Sequence, residues 1–269
     1  EFLEFYGIHL STTMTTIITN ELEIRYGKTV ALTCVNIEIP AASLVCVIGP
    51  NGAGKSAFLK ALAGTIEIHR GKVELQGPRP SFVLQSTDVD PSLPISVRDV
   101  VSLSRYPIRG TFRRFKSEDH KAIQEALDRL DIRKLENTQF HELSGGQRQR
   151  VLLAQGLAQE SDVLLLDEPI TGLDVISRNI ILEMIDEEVQ SGRTVIFSSH
   201  NLNDANRADQ VLLLKTIPIC YGPPDEVLTE INLRSAFGEH HIRVGEQLLI
   251  DDPHHDHPQT HGEQKIRTF

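Results

Sequence analysis

The sequence predicts an α/β protein built on a mostly parallel sheet with helices on both faces. Short apolar runs of strand length alternate with helical segments, one run passes straight into a Gly-rich turn and a helix, and a charged helical block interrupts the alternation before it resumes.

Taken in order, Ile17–Tyr26 and Val30–Ile39 read as strands joined at Gly27-Lys28, an antiparallel hairpin. Leu44–Ile48 is apolar throughout and reads as a buried strand. Lys72–Leu75 and Phe82–Leu84 are further strands. From Ser96 to Gln159 the pattern turns helical and more charged. Ser117-Glu118-Asp119 opens one helix there, whose apolar face carries Ile123, Ala126, Leu127 and Leu130. This block reads as an inserted helical subdomain, about residues 90–160. Strand Val163–Leu166, helix Ser177–Gln190 and strands Thr194–Ser198 and Gln210–Leu214 complete the alternation. The main domain is expected over residues 17–238.

The ends differ. Glu1–Thr13 lacks the basic start and apolar stretch of a secretory signal, and Met14 precedes a well-patterned run at once. Residues 1–13 are expected to be non-native or upstream sequence, within an N-terminal extension over 1–16. Residues 239–269 form a His-rich tail, and its Pro-rich part from Asp251 is expected to be disordered.

Composition narrows the function classes. At 269 residues, 40% hydrophobic and 24% charged, the chain can build one large core. It contains no stretch of about eighteen consecutive apolar residues able to span a bilayer. A net charge of -10 argues against nucleic acid as a partner. Arg105, Arg109, Arg113, Arg114 and Lys116 gather locally, as a solvated helix end or a docking patch. Cys34, Cys46 and Cys220 lack metal-type spacing and are expected to be reduced, buried thiols.

Gly49-Pro50-Asn51-Gly52-Ala53-Gly54-Lys55-Ser56 fits the phosphate-cradling P-loop, between strand and helix as that loop requires. Its glycines let backbone N–H groups converge on phosphate oxygens, and the helix that follows aims its positive end at the same anion. Lys55 reaches toward terminal phosphates and Ser56 toward Mg²⁺. Val163-Leu164-Leu165-Leu166-Asp167-Glu168-Pro169 is an apolar strand ending in two carboxylates, at the edge of the sheet where ligands bind. Asp167 suits the shell of a metal ion, and Glu168 a general base acting on water. Leu143-Ser144-Gly145-Gly146-Gln147 precedes another helix, with Ser144 suited to cap it and two glycines exposing backbone donors.

With these motifs in place, the chain resembles the ATP-binding subunits of ABC transporters from about Thr19 to about Gly222. The resemblance implies a P-loop NTPase (ABC ATPase) core with an antiparallel β subdomain and an inserted α-helical subdomain. It also implies ATP and Mg²⁺ as ligands. Gln85, after Ser81-Phe82-Val83-Leu84, matches the glutamine that contacts Mg²⁺ or water and senses the permease. His200 matches the switch histidine at the γ-phosphate, Gly172-Leu173-Asp174 the loop that crosses the dimer interface, and Tyr26 the aromatic that stacks on adenine. Nucleotide contacts are then expected from Tyr26, Gly49 to Ala57 and, in trans, Ser144, Gly145, Gly146 and Gln147. Catalysis falls to Glu168, His200, Lys55 and Gln85, and the metal to Ser56, Gln85 and Asp167. Ala57 and Phe58 stand where the family usually has Thr and Leu, and Ile170 where a small or polar residue is usual. The short connection between Leu75 and Phe82 predicts a trimmed hairpin there.

The expected partners are a second copy closing head-to-tail on ATP, a transmembrane permease and, indirectly, an extracytoplasmic metal-binding protein. The expected location is the cytoplasmic face of the cell membrane. Arg105-Tyr106-Pro107, Leu153 to Gln159, Tyr221 to Leu228 and Ala236-Phe237-Gly238 are similar to the zinc, manganese and iron importer branch. The tail, with His240, His241, His254, His255, His257 and His261, suits divalent metals by composition but has no fixed ligand spacing. An importer of iron–siderophore or another small solute is the alternative. A soluble ABC protein of DNA repair or translation is disfavoured by the single cassette and the lack of sustained heptads. A catalytically dead subunit is disfavoured by intact Lys55, Asp167, Glu168 and His200.

Overall fold

The structure, a computed structural model, describes residues 15–85, 94–110, 113–238, 241–244 and 247–250. The predicted hairpin forms as β1 (Thr15–Tyr26) and β2 (Thr29–Pro40), paired antiparallel about the Gly27-Lys28 turn. Then follow β3 (Leu44–Ile48), α1 (Lys55–Leu62), β4 (Arg70–Leu75) and β5 (Ser81–Val83). The helical block holds α2 (Val97–Ser102), α3 (Tyr106–Arg109), α4 (Ser117–Arg129) and α5 (Gly145–Leu157). The alternation resumes with β6 (Val163–Leu166), α6 (Val175–Gln190), β7 (Thr194–Ser199), α7 (Leu202–Ala205) and β8 (Gln210–Lys215). The remainder is β9 (Ile217–Gly222), α8 (Pro224–Val227), α9 (Glu230–Phe237) and a hairpin of β10 (His241–Val244) with β11 (Gln247–Ile250).

The main sheet is six-stranded in the order β5-β6-β7-β3-β8-β9, parallel except at β9. Its central strands β6, β7, β3 and β8 are buried on both faces, and alternation along each strand divides the core in two. Leu44, Cys46 and Ile48 of β3 join Leu164, Leu166, Val195 and Phe197 against the helices α4, α5 and α6. Val45 and Val47 join Leu165, Ile196 and Leu212 against α1 and the β1–β2 hairpin. The helical block therefore covers one face, and α1 with the small sheet covers the other.

The connection from Leu75 to Ser81 does not make a hairpin. β4 adds to the far side of β1, giving a three-stranded antiparallel sheet β2-β1-β4, while β5 pairs parallel with β6 in the main sheet. The short segment carries the chain between sheets. Edge strand β9 is an addition to the predicted elements, and it contains Pro218. Pro is tolerated there because an edge strand lacks a neighbour on one side. Helix α6 starts two residues before the expected Ser177, since the Asp174 side chain accepts a hydrogen bond from the Ser177 N–H at 2.9 Å and caps the helix.

Two expectations about side chains are corrected. Cys34 is exposed, at a positive φ of 58° beside an irregularity in the β1–β2 ladder, which turns it off the buried face. Cys46 is fully buried, and that burial pushes its thiol well up from the ordinary range. Arg105 is not a surface cation: it is 3% exposed, donating to Asp119 at 2.9 Å and to the Ala158 carbonyl at 2.7 Å. Asp119 in turn takes bonds from Arg109 and from the Lys116 N–H. Arg113, Arg114 and Lys116 are exposed.

No helix among the described residues is long and apolar enough to cross a membrane. His254, His255, His257 and His261 lie outside the described residues, as do His240 and residues 1–13. Among the described residues, no group of three or more His, Cys, Asp or Glu could hold a metal ion.

Candidate functional site

The P-loop joins the end of β3 to α1, so the N-terminus of α1 faces the C-terminal edge of the parallel sheet. Gly54 caps α1 at φ 97°, and a Cβ there would sit 2.5 Å from the Ala31 carbonyl oxygen. Only glycine meets both demands without moving β2. Gly54→Ala is expected to weaken nucleotide binding by at least about 10-fold, since one misaligned backbone donor costs about 1.4 kcal/mol or more. Titration with a fluorescent ATP analogue checks it.

The loop is braced from below. The Ala53 N–H donates to the Pro50 carbonyl at 3.1 Å, and the Ala53 carbonyl accepts from the Thr216 N–H at 2.9 Å. The Thr216 carbonyl accepts from the Thr33 N–H at 2.9 Å, so the β8–β9 turn ties the loop to the small sheet. Lys55 is 6% exposed, and its Nζ donates to the Gly49 carbonyl at 2.8 Å and the Pro50 carbonyl at 3.3 Å. The ammonium thus lies over the loop. Ser56, one residue on, is exposed.

A cavity of about 360 Å³ lies above the loop, lined by Tyr26, Asn51, Gly52, Ala53, Gly54, Lys55, Ser56, Ala57 and Glu168 together with Thr29, Val30 and Ala31. Tyr26 is 53% exposed, so its ring is open rather than packed on a neighbouring strand. A larger cleft of about 490 Å³ lies between α4 and α6 and touches none of these residues.

The Asp167-Glu168 pair ends β6, whose four residues are all buried. Asp167 is 4% exposed, and its Oδ1 accepts from the Ser198 hydroxyl at 2.7 Å. The Glu168 N–H donates to the same hydroxyl at 2.8 Å, and Glu168 sits at φ 45°. Gln85 Nε2 donates to Glu168 Oε2 at 3.5 Å, which brings the sequence-predicted glutamine and glutamate together. His200 follows β7 directly and is exposed, outside the lining of the cavity. Beside it, the Ser199 hydroxyl donates to Asp204 Oδ2 at 2.8 Å and accepts from the Asn201 N–H at 3.0 Å.

Ser144 caps α5: its Oγ accepts from the Gln147 N–H at 3.3 Å, while Gln147 Oε1 accepts from the Ser144 N–H at 2.9 Å. A Cβ at Gly146 would meet Ser177 Oγ at 2.6 Å, so this glycine lets the start of α5 pack on the start of α6. Asp174 and Ser144 thereby share one corner. Backbone and side-chain hydrogen bonds to Ser177 hold the Asp174 carboxyl below its ordinary range. Ser144, Gly145, Gly146 and Gln147 do not line the P-loop cavity.

Ser198, Asp204 and Thr216 were not singled out in the sequence. The Ser198-Ser199 pair before His200 was a readable signal, since serines closing an apolar strand are polar groups that need partners. Thr216 acts through its backbone and leaves no such trace.

The sequence profile of the ABC transporter family matches residues 32–171. The ABC transporter ATP-binding protein of the ycf23-apcF intergenic region of Cyanophora paradoxa is 36% identical over 82% of this chain and 94% of its own length. The manganese transport system ATP-binding protein MntB of Listeria innocua is 32% identical over 81% of this chain and 94% of its own. A solved ABC transporter of metal-chelate type, in an inward-facing conformation, superposes with a TM-score of 0.76 at 30% identity, covering 88% of this chain and 96% of that one. With its P-loop, its paired strand-end carboxylates and its capped Ser144 helix on this fold, the chain belongs to the ATP-binding subunits of ABC transporters.

Proposed function

We propose that the chain hydrolyses ATP in the P-loop cavity together with a second copy, driving import of a divalent metal ion through a separate permease. The observation that carries the reading is a carboxylate, Glu168, lining the same cavity as Lys55 and Ser56. Lys55 exchanges its bonds to the Gly49 and Pro50 carbonyls for phosphate oxygens, and the loop amides bind the rest of the chain of phosphates. Tyr26, at the mouth, takes the base on its open face. Glu168 accepts a proton from the attacking water, and Gln85 orients that water or the metal. Ser56, Asp167 and Gln85 offer hard oxygens, the donor type Mg²⁺ requires. Bound there, Mg²⁺ would neutralise charge developing on the phosphate oxygens.

The γ-phosphate needs donors on its open side as well. The Ser144 helix start is a preformed anion-binding end that does not serve its own cavity, which supports its use on the ATP of a partner copy. His200 then contacts the γ-phosphate as the two copies close. The cargo reading rests on relatives named for manganese transport and on a structural neighbour of metal-chelate type. It brings with it a permease, an extracytoplasmic metal-binding protein and the cytoplasmic face of the membrane as location.

Ser144→Arg is expected to suppress ATP hydrolysis while leaving ATP affinity of the monomer unchanged. Equal loss of both would contradict action in trans. The cargo is tested by uptake of manganese, zinc and iron in cells lacking the chain; unchanged uptake of all three would refute metal import.

A further inference from the structure

We propose that Ser198 is a positioning residue, whose one hydroxyl aims both strand-end carboxylates, Asp167 and Glu168. The inference rests on the hydrolysis reading above. Ser198 is fully buried at the end of β7, next to the end of β6. Its hydroxyl has one proton and two lone pairs. The Glu168 N–H is only a donor, so at 2.8 Å the hydroxyl must accept from it. The Asp167 carboxylate is only an acceptor when ionised, so the single proton must point to its Oδ1 at 2.7 Å. Neither the rotamer nor the proton has a free choice.

Each bond has a consequence at the site. The bond to Asp167 Oδ1 sets the rotation of the carboxylate plane, so that its other oxygen would be the one offered to a metal shell. The second supports Glu168 in a left-handed conformation, at φ 45°, that non-glycine residues adopt rarely. That conformation turns Glu168 out of the strand direction and into the cavity beside Lys55 and Ser56. The neighbouring hydroxyl of Ser199 serves a different cluster, Asp204 and Asn201. One serine of the pair thus organises the acid edge, and the other organises the turn that holds His200.

The test compares Ser198→Ala with Ser198→Thr, which keeps the hydroxyl. Two readouts are taken: the Mg²⁺ concentration needed for half-maximal tightening of ATP-analogue binding, and steady-state ATP hydrolysis. Ser198→Ala is expected to raise the Mg²⁺ requirement and to lower kcat by about 10–100-fold, the usual cost of removing a group that orients a metal ligand. KM for ATP measured at saturating Mg²⁺ should stay within about twofold, since Lys55 and the loop amides are untouched. Ser198→Thr should restore most of both. A Ser198→Ala protein with the parental Mg²⁺ requirement overturns the proposal, whether kcat is unchanged or falls only with the folded fraction. If the unsubstituted chain does not hydrolyse ATP, the hydrolysis reading fails, and the Mg²⁺-dependent binding still decides the role of Ser198 toward Asp167.

Discussion

Glu168→Gln is expected to lower ATP turnover by roughly 10²–10⁴-fold, the range for loss of a positioned general base. The amide is isosteric with the carboxylate and keeps an oxygen that can still accept from Gln85 Nε2, so the shape of the cavity is preserved. It carries no charge at any ordinary pH and takes no proton from water. The groups proposed to bind ATP, Lys55, Ser56 and the loop amides, are not touched by the change. Binding should therefore persist, and the ATP-bound dimer should accumulate because its exit through hydrolysis is closed. Phosphate release measures the first outcome and size-exclusion chromatography with ATP the second. Turnover within tenfold of the parent protein would remove Glu168 from the role of base.

Asp119→Ala is expected to destabilise the helical subdomain strongly, costing about 3–5 kcal/mol. Asp119 is fully buried, and it holds Arg105, itself 4% exposed at the side chain, together with Arg109. Removing the carboxylate leaves a buried guanidinium short of its counter-ion, although Arg105 retains Glu160 and the Ala158 carbonyl. A fall in Tm of roughly 6–20 °C corresponds to that loss.

The same group shapes the acid limb of stability. Burial pushes the Asp119 carboxyl up, but the Lys116 N–H and the Arg109 and Arg105 guanidiniums outweigh it and hold it down at about 2, against an ordinary 3.8. A depressed carboxyl stabilises the folded state most when ionised, so its contribution is complete above 3.8 and fades as the pH falls through about 2. Asp119→Asn should flatten that part of the stability profile in acid unfolding; an unchanged profile would show that other carboxyls set it.

Much of the site was legible because its chemistry is local. The P-loop, the Asp167-Glu168 strand end and the Ser144 cap each occupy a few consecutive residues, and the short-range backbone geometry follows from Gly, Ser and the strand–helix pattern. Arg105 was misplaced because its partners Asp119 and Glu160 are distant in sequence, and a charged residue announces no burial until its counter-ion is found. The same reason hid Ser198, whose role depends on the end of another strand. Strand β9 carries Pro218, which weakens its strand pattern and which an edge position accommodates.

Read alone, the sequence determined the alternation of strands and helices, the antiparallel opening hairpin, the inserted helical block and the phosphate loop, since periodicity and glycine placement are properties of neighbouring residues. Tertiary structure alone decided that β4 and β5 belong to different sheets, and that Glu168 shares a cavity with Lys55. It also decided that Ser144 lines no part of that cavity, so a single copy presents a phosphate cradle and, apart from it, a capped helix end. These are relations between segments far apart in the chain, set by how apolar faces pack, and no local pattern encodes them.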